Sequence, residues 1–206
     1  KLPSDTEIKT MLESELNRLP VTKDEYVRLL EKGLEALYPY LTHTKQSLPV
    51  KTKEELSIRV VLPTGIPELP ELPLTGKLDR LDIGEDGVAY RVVDYKTGKP
   101  KTRNVIEGKT ASSDGGYKRQ LVFYALLLSL YDDDRYKCNT GVLSFVEPDA
   151  KGVIHEEVFN ITNEEVEELK EEIIEATKNI VSGEFLKSPC EEGDSDYCHL
   201  VQLLQG

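Results

Sequence analysis

Apolar residues recur every three to four positions over the first 45 residues, and this spacing predicts helices. Ile8, Met11, Leu12, Leu16 and Leu19 form one such stripe, and Pro20 ends it. Thr22 is placed to cap a second helix, with Glu25 as its capping-box partner. Tyr26, Leu29, Leu30, Leu34, Leu37 and Leu41 fall on one face of that helix, which reads as packing. From Leu56 the pattern changes to alternation: Leu56, Ile58, Val60 and Leu62 against Ser57, Arg59 and Val61 predict a strand. Pro63, Pro67, Pro70 and Pro73 predict a loop, and Leu74 to Ile83 a second strand. Gly84-Glu85-Asp86-Gly87 is a turn signal before a third strand, Val88 to Lys96, so the last two strands read as an antiparallel hairpin.

Residues 97–116 are dominated by Ser, Thr, Gly, Lys and Asp and predict a long functional loop. An apolar helix from about Tyr117 to Tyr131 follows. Two further strands, Gly141 to Glu147 and Val153 to Phe159, precede a final helix capped by Thr162 with Glu165, running to about Val181. There is no internal repeat. The layout is a single domain over 1–206, with a helical part at 1–45, a core at 50–182 and a tail at 183–206.

Composition narrows the class. Residues of the apolar types make up 38% of the 206, enough for a core, so collagen-like and wholly disordered chains are excluded. The longest apolar run, Leu121 to Leu128, is well short of the roughly 18 residues of a membrane span. The start, KLPSDTEIKT, has no signal-peptide pattern, and three cysteines do not make a disulfide framework. A reducing, cytoplasmic setting is expected. The lack of an initiator methionine predicts a piece of a longer protein.

The chemistry concentrates in GKLDRLD (76–82), VVDYKTGK (92–99) and QLVFY (120–124). In a strand, i and i+2 share a face, so Asp94 and Lys96 project together while Val93 and Tyr95 face away. Pairing across the Asp86-Gly87 turn brings Asp79 toward Asp94. Two converging carboxylates repel unless a cation joins them, and hard oxygen donors suit Mg²⁺ or Mn²⁺. A metal there would polarise a phosphoryl oxygen, and the adjacent lysine would orient water and offset developing charge. Gln120 and Tyr124, spaced i and i+4, share one helix face and border the same cleft. Arg80 and Asp82 read as structural ion partners. An Asp-x-Lys pair taken alone reads as a solvated face; the ordered set is what singles it out.

That set, G-x-L-D-R, then D-Y-K-T-G about fifteen residues on, then Q-x-x-x-Y opening an apolar helix, resembles the PD-(D/E)XK nuclease superfamily. It is most similar to the RecB-like branch, the C-terminal nuclease module of helicase-nucleases, over roughly residues 50–200. The resemblance implies an α/β, restriction-endonuclease-like αβββαβ core, a mixed central sheet flanked by helices, with the N-terminal helices added. It implies metal-dependent hydrolysis of DNA phosphodiesters, exonucleolytic and directed at single strands in repair or recombination. It casts Asp79 and Asp94 as Mg²⁺ or Mn²⁺ ligands, Lys96 as the catalytic lysine, and Gln120 and Tyr124 as a supporting catalytic pair. Glu55 stands where many relatives carry a glutamate, although Glu54 is beside it. The G-x-x-x-H segment of many relatives is missing: His43 lacks the glycine and sits in a loop-like context. With only Cys138, Cys190 and Cys198, four thiolates are not available, and no iron–sulfur cluster is expected. Cys190 with Cys198-His199 lacks zinc-site spacing, and His155 and His199 read as ordinary histidines.

Charge qualifies the picture. The formal net charge is -12, which argues against indiscriminate coating of nucleic acid or binding to a membrane surface. Yet Lys96 to Arg119 carries seven basic and two acidic residues, a net of +5 that leaves -17 for the rest. Lys99, Lys101, Arg103, Lys118 and Arg119 are therefore the candidate DNA contacts. The acidic 164–175 helix reads as a solvated face or a docking surface for a basic neighbour. DNA and the helicase modules of the same polypeptide or complex are the expected partners. A catalytically inactive nuclease-fold module for DNA binding or protein docking is the alternative. A small-molecule phosphohydrolase is disfavoured, since no phosphate-cradling glycine loop is present.

Overall fold

Three reciprocal capping boxes set the starts of the longer polar helices. Ser4 with Glu7 precedes α1 (Asp5–Leu16), Thr22 with Glu25 precedes α2 (Lys23–Thr44), and Thr162 with Glu165 precedes the last helix. In each, the cap side chain accepts from the third backbone N–H and the glutamate accepts from the cap's own N–H. The computed structural model describes residues 3–45, 47, 49 and 51–184.

The remaining elements are β1 (Lys51–Ile66), β2 (Leu69–Ile83), β3 (Ala89–Lys96), the short α3 (Arg103–Ile106), α4 (Gly116–Leu130), β4 (Thr140–Phe145), β5 (Glu156–Asn160) and α5 (Asn163–Ser182). A 3₁₀ turn, Asp134–Tyr136, lies between α4 and β4. The five strands form one sheet in the order β1-β2-β3-β4-β5. All neighbours are antiparallel except β3 and β4, which run parallel and are joined through α3 and α4. A parallel pair needs such a crossover, and it places α4 on one face of the sheet. The result is the expected mixed sheet flanked by helices.

α4 is buried over most of its surface: Leu121, Val122, Tyr124, Ala125, Leu126, Leu127 and Leu128 are all buried. A helix this largely apolar belongs between layers, here the sheet below and α5 above. Gly76 lets it sit close. A Cβ at that position would run into Leu127 Cδ1 and lie 3.6 Å from Phe123 Cε1. On the opposite face, Tyr40 of α2 packs edge-on against Tyr95 and meets Ser144 through its hydroxyl.

Several expectations change. The proline-punctuated loop is not a loop: β1 and β2 continue through Pro63, Pro70 and Pro73 to a tight turn at Pro67-Glu68. β3 covers only Arg80 to Ile83 of β2, so the outer hairpin is a two-stranded ribbon. Each of its strands has one free edge, where a missing N–H costs nothing. The polar 97–116 segment contains α3, whose Ile106 is 1% exposed and anchors the loop in the core. Met11 and Leu19 lie exposed, because α1 packs mainly on α2 and buries little beyond Ile8 and Leu16. His43 belongs to the last turn of α2 and is not in a loop. No helix among the described residues is long and apolar enough to cross a membrane.

Candidate active site

The β2–β3 ladder pairs Asp82 with Arg91, Leu81 with Val92 and Arg80 with Val93. The next positions in that register are Asp79 and Asp94, so the turn at 84–87 together with the register shift between Asp82 and Ile83 brings the carboxylates toward each other. There the regular ladder ends, and Tyr95 N instead donates to Asp79 Oδ2 at 2.9 Å. Asp94 is almost fully buried and Asp79 half-buried.

Four side chains close a ring. Lys96 Nζ lies 2.6 Å from Asp94 Oδ2 and donates to Gln120 Oε1 at 2.6 Å. Gln120 Nε2 donates to Tyr124 Oη at 2.7 Å, and Tyr124 Oη donates to Asp94 Oδ1 at 3.1 Å. The i, i+2 relation on β3 and the i, i+4 relation on α4 thus meet face to face. Lys96 Nζ is the one group that meets Asp94 Oδ2 among the described residues, as an ion pair at 2.6 Å.

Burial pushes the Asp94 carboxyl above the usual carboxylate range; Lys96 opposes this, Asp79 adds to it, and the Tyr124 hydroxyl opposes it. Burial, reinforced by the nearby Asp94 charge, raises the Tyr124 phenol, which therefore stays protonated as a donor. Two carboxylates brought together at the end of a strand pair, one of them buried, fit a hard divalent cation. Such ions take one or two protein carboxylates and complete their shell with water and phosphate oxygens. Among the described residues, no group of three His, Cys, Asp or Glu side chains forms a metal cluster. Asp79 and Asp94 are the two carboxylates here that could hold such an ion.

Glu55 faces Asp79 across the β1–β2 register, at a break in the ladder where it alone of the described non-glycine residues has positive φ, 54°. Its exposed side chain pairs with Lys77 and is turned to that partner. Arg80 and Asp82 lie on the opposite face from the ring and bond each other, as expected of structural partners. His155 pairs with Asp149 at 2.9 Å. Cys190, Cys198 and His199 lie outside the described residues.

The basic segment divides. Arg103 bonds Glu107 at 3.1 Å and Glu157 at 3.2 Å, and Lys118 pairs with Glu165. Lys109 also pairs with Glu107. These charges are compensated by carboxylates from β5, α5 and the loop itself, so the local +5 overstates what is free. Lys99, Lys101 and Arg119 are exposed, with no carboxylate partner within ion-pair distance among the described residues. One residue escaped the sequence reading. Tyr117 receives Lys96 Nζ at 4.7 Å and Lys101 Nζ at 4.6 Å from its ring centre. Its position three before Gln120 puts it on the same helix face, and that spacing was the available signal.

A mixed five-stranded sheet with two facing strand carboxylates and an adjoining lysine defines a restriction-endonuclease-like α/β domain. The chain belongs to the PD-(D/E)XK nuclease superfamily, whose sequence profile matches residues 2–202. Members of that superfamily generally use divalent metals, and membership implies a nuclease-type domain that binds DNA. None of the curated proteins matches the chain. Among solved structures, that of SSO0001 is similar at 16% identity with a TM-score of 0.43, over 84% of this chain and 69% of that one.

Proposed function

We propose that this domain is a Mg²⁺- or Mn²⁺-dependent deoxyribonuclease that hydrolyses phosphodiester bonds of single-stranded DNA. It would act as an exonuclease in repair or recombination, as the RecB-like module of a helicase-nuclease. The observation that carries this reading is the buried Asp94 carboxylate, paired with Lys96 and brought up to Asp79. A divalent cation held by Asp79 and Asp94 would polarise a phosphoryl oxygen and acidify water.

The chain's own groups divide the remaining work. Lys96, paired with Asp94 and aimed by Gln120, orients the attacking water and offsets negative charge as the P–O bond breaks. Tyr124 holds Asp94 in place through Oδ1. Exposed Lys99, Lys101 and Arg119 grip the strand by its phosphates, which carries it past the site without reading sequence.

Incubation with end-labelled single-stranded DNA and Mn²⁺ tests the reading. Cleavage is expected, falling about 100-fold or more in Asp94→Ala and Lys96→Ala. Cleavage that persists in Asp94→Ala refutes the assignment. Salt-sensitive binding without metal-stimulated cleavage would instead establish the inactive DNA-binding module.

A further inference from the structure

The two carboxylates stand where the β2–β3 ladder stops. The last paired residues are Arg80 and Val93, and Asp79 faces Asp94 one step beyond. Like charges there push the strands apart; ladders hold β3 to β4 and β2 to β1 at this level, but none joins β2 to β3 at this step, so other contacts must set their approach. Two contacts do so. On the site face, Tyr95 N donates to Asp79 Oδ2 at 2.9 Å. On the far face, Arg80 Nη1 donates to Tyr95 Oη at 2.7 Å, tying the residue after Asp79 to the residue after Asp94.

This far-face tie is well anchored. Arg80 is 6% exposed and Asp82 is inaccessible. Arg80 Nη2 donates to Asp82 Oδ2 at 3.2 Å, and Arg80 Nε lies 2.7 Å from Asp82 Oδ1, off the hydrogen-bonding direction. Arg91, on β3, donates from Nε to the same Asp82 at 2.5 Å, a second link between the strands. The Arg80 guanidinium also lies 5.5 Å from the Tyr95 ring centre, and Tyr40 closes over that ring edge-on at 6.2 Å. A polar cluster this buried has no contact with the cleft, and surface solvation does not explain it.

We infer that Arg80 and Tyr95 are positioning residues. Their bond behind the sheet carries the strand register one step past the ladder and sets the approach of Asp79 to Asp94, hence the affinity for the divalent cation. The inference rests on the proposed two-carboxylate site. The phenol adds no charge to the cleft; it restrains the strand segment that bears both Asp94 and Lys96.

Tyr95→Phe removes the hydroxyl and keeps the ring. Tyr40→Phe is the control: it removes a buried hydroxyl bond on the same face, to Ser144 at 2.8 Å, that does not link β2 to β3. Mn²⁺ binding is measured by isothermal titration in the absence of DNA, and thermal unfolding and amide exchange at positions 93 and 95 are followed in parallel. Both variants should lower the unfolding temperature. Only Tyr95→Phe should weaken Mn²⁺ binding, by about tenfold, as expected when a group orienting a ligand is lost. It should also speed exchange of the amide at 95 relative to that at 93.

Unchanged Mn²⁺ affinity in Tyr95→Phe, or an equal loss in Tyr40→Phe, overturns the inference. If the unaltered protein binds no Mn²⁺, the metal-site reading falls, and amide exchange alone decides the tie. Faster exchange at 95 in Tyr95→Phe then upholds the register restraint, and unchanged exchange overturns it.

Discussion

Gly76 offers a test of how the core positions the site, because the sign of its substitution depends on one neighbour. Its φ is not in the left-handed region, so alanine is allowed by the backbone. Replacing a strand glycine by alanine should by itself help by roughly 0.5–1 kcal/mol through the unfolded chain. Against this, the new methyl collides with Leu127 Cδ1, and Leu127 has no exposed surface into which to retreat. Overpacking of that kind costs about 1–3 kcal/mol, so Gly76→Ala should be net destabilising by about 1–2 kcal/mol. Leu127→Ala should cost about 2–5 kcal/mol through the cavity it leaves.

In the Leu127→Ala background the collision is gone and the methyl partly fills the void. Gly76→Ala should there be neutral or stabilising, a coupling of about 1–3 kcal/mol. Urea unfolding followed by circular dichroism on the four proteins measures the cycle. Cleavage should also fall in Gly76→Ala alone, since lifting α4 withdraws Gln120 and Tyr124 from Lys96 and Asp94. If Gly76→Ala costs the same in both backgrounds, within about 0.5 kcal/mol, close packing of α4 on β2 is not what Gly76 provides.

Other outcomes follow from the same contacts. Asp82→Asn leaves Arg80 and Arg91 facing a neutral partner and should cost about 3–5 kcal/mol by chemical denaturation; a loss under about 1 kcal/mol would contradict a buried ion network. Lys101→Ala should lower the salt slope of DNA binding by about 1, whereas Arg103→Ala, already paired with Glu107 and Glu157, should leave it nearly unchanged. Equal slopes for the two variants in fluorescence-anisotropy titrations would count against this division. Burial pushes the Cys138 thiol up to about 11. The unfolded chain then loses this proton first, so stability is intact below about pH 9 and falls between about pH 9 and 11. Cys138→Ala should flatten that decline in unfolding measured against pH.

Much of the local design is legible in single residues. Thr22 with Glu25 and Thr162 with Glu165 cap helices where the sequence places them, because a capping box needs only neighbours three positions apart. The approach of Asp79 to Asp94, and of Gln120 and Tyr124 to one another, follows from a turn and two periodicities. What these rules do not contain is the partner on another element. Pro63, Pro70 and Pro73 look like loop residues until the sheet shows that their ribbon has two free edges.

Arg103 and Lys118 count as free cations along the chain, yet Glu157 and Glu165 approach them from more than 40 residues away. The docking of α4 that brings Gln120 to Lys96, and the bond from Arg80 to Tyr95 behind the carboxylates, are likewise tertiary. The sequence determined which residues share a strand face, a helix face or a cap, since backbone geometry repeats at fixed short intervals. The tertiary structure decided which faces meet and which charges remain open, since those depend on how the layers pack.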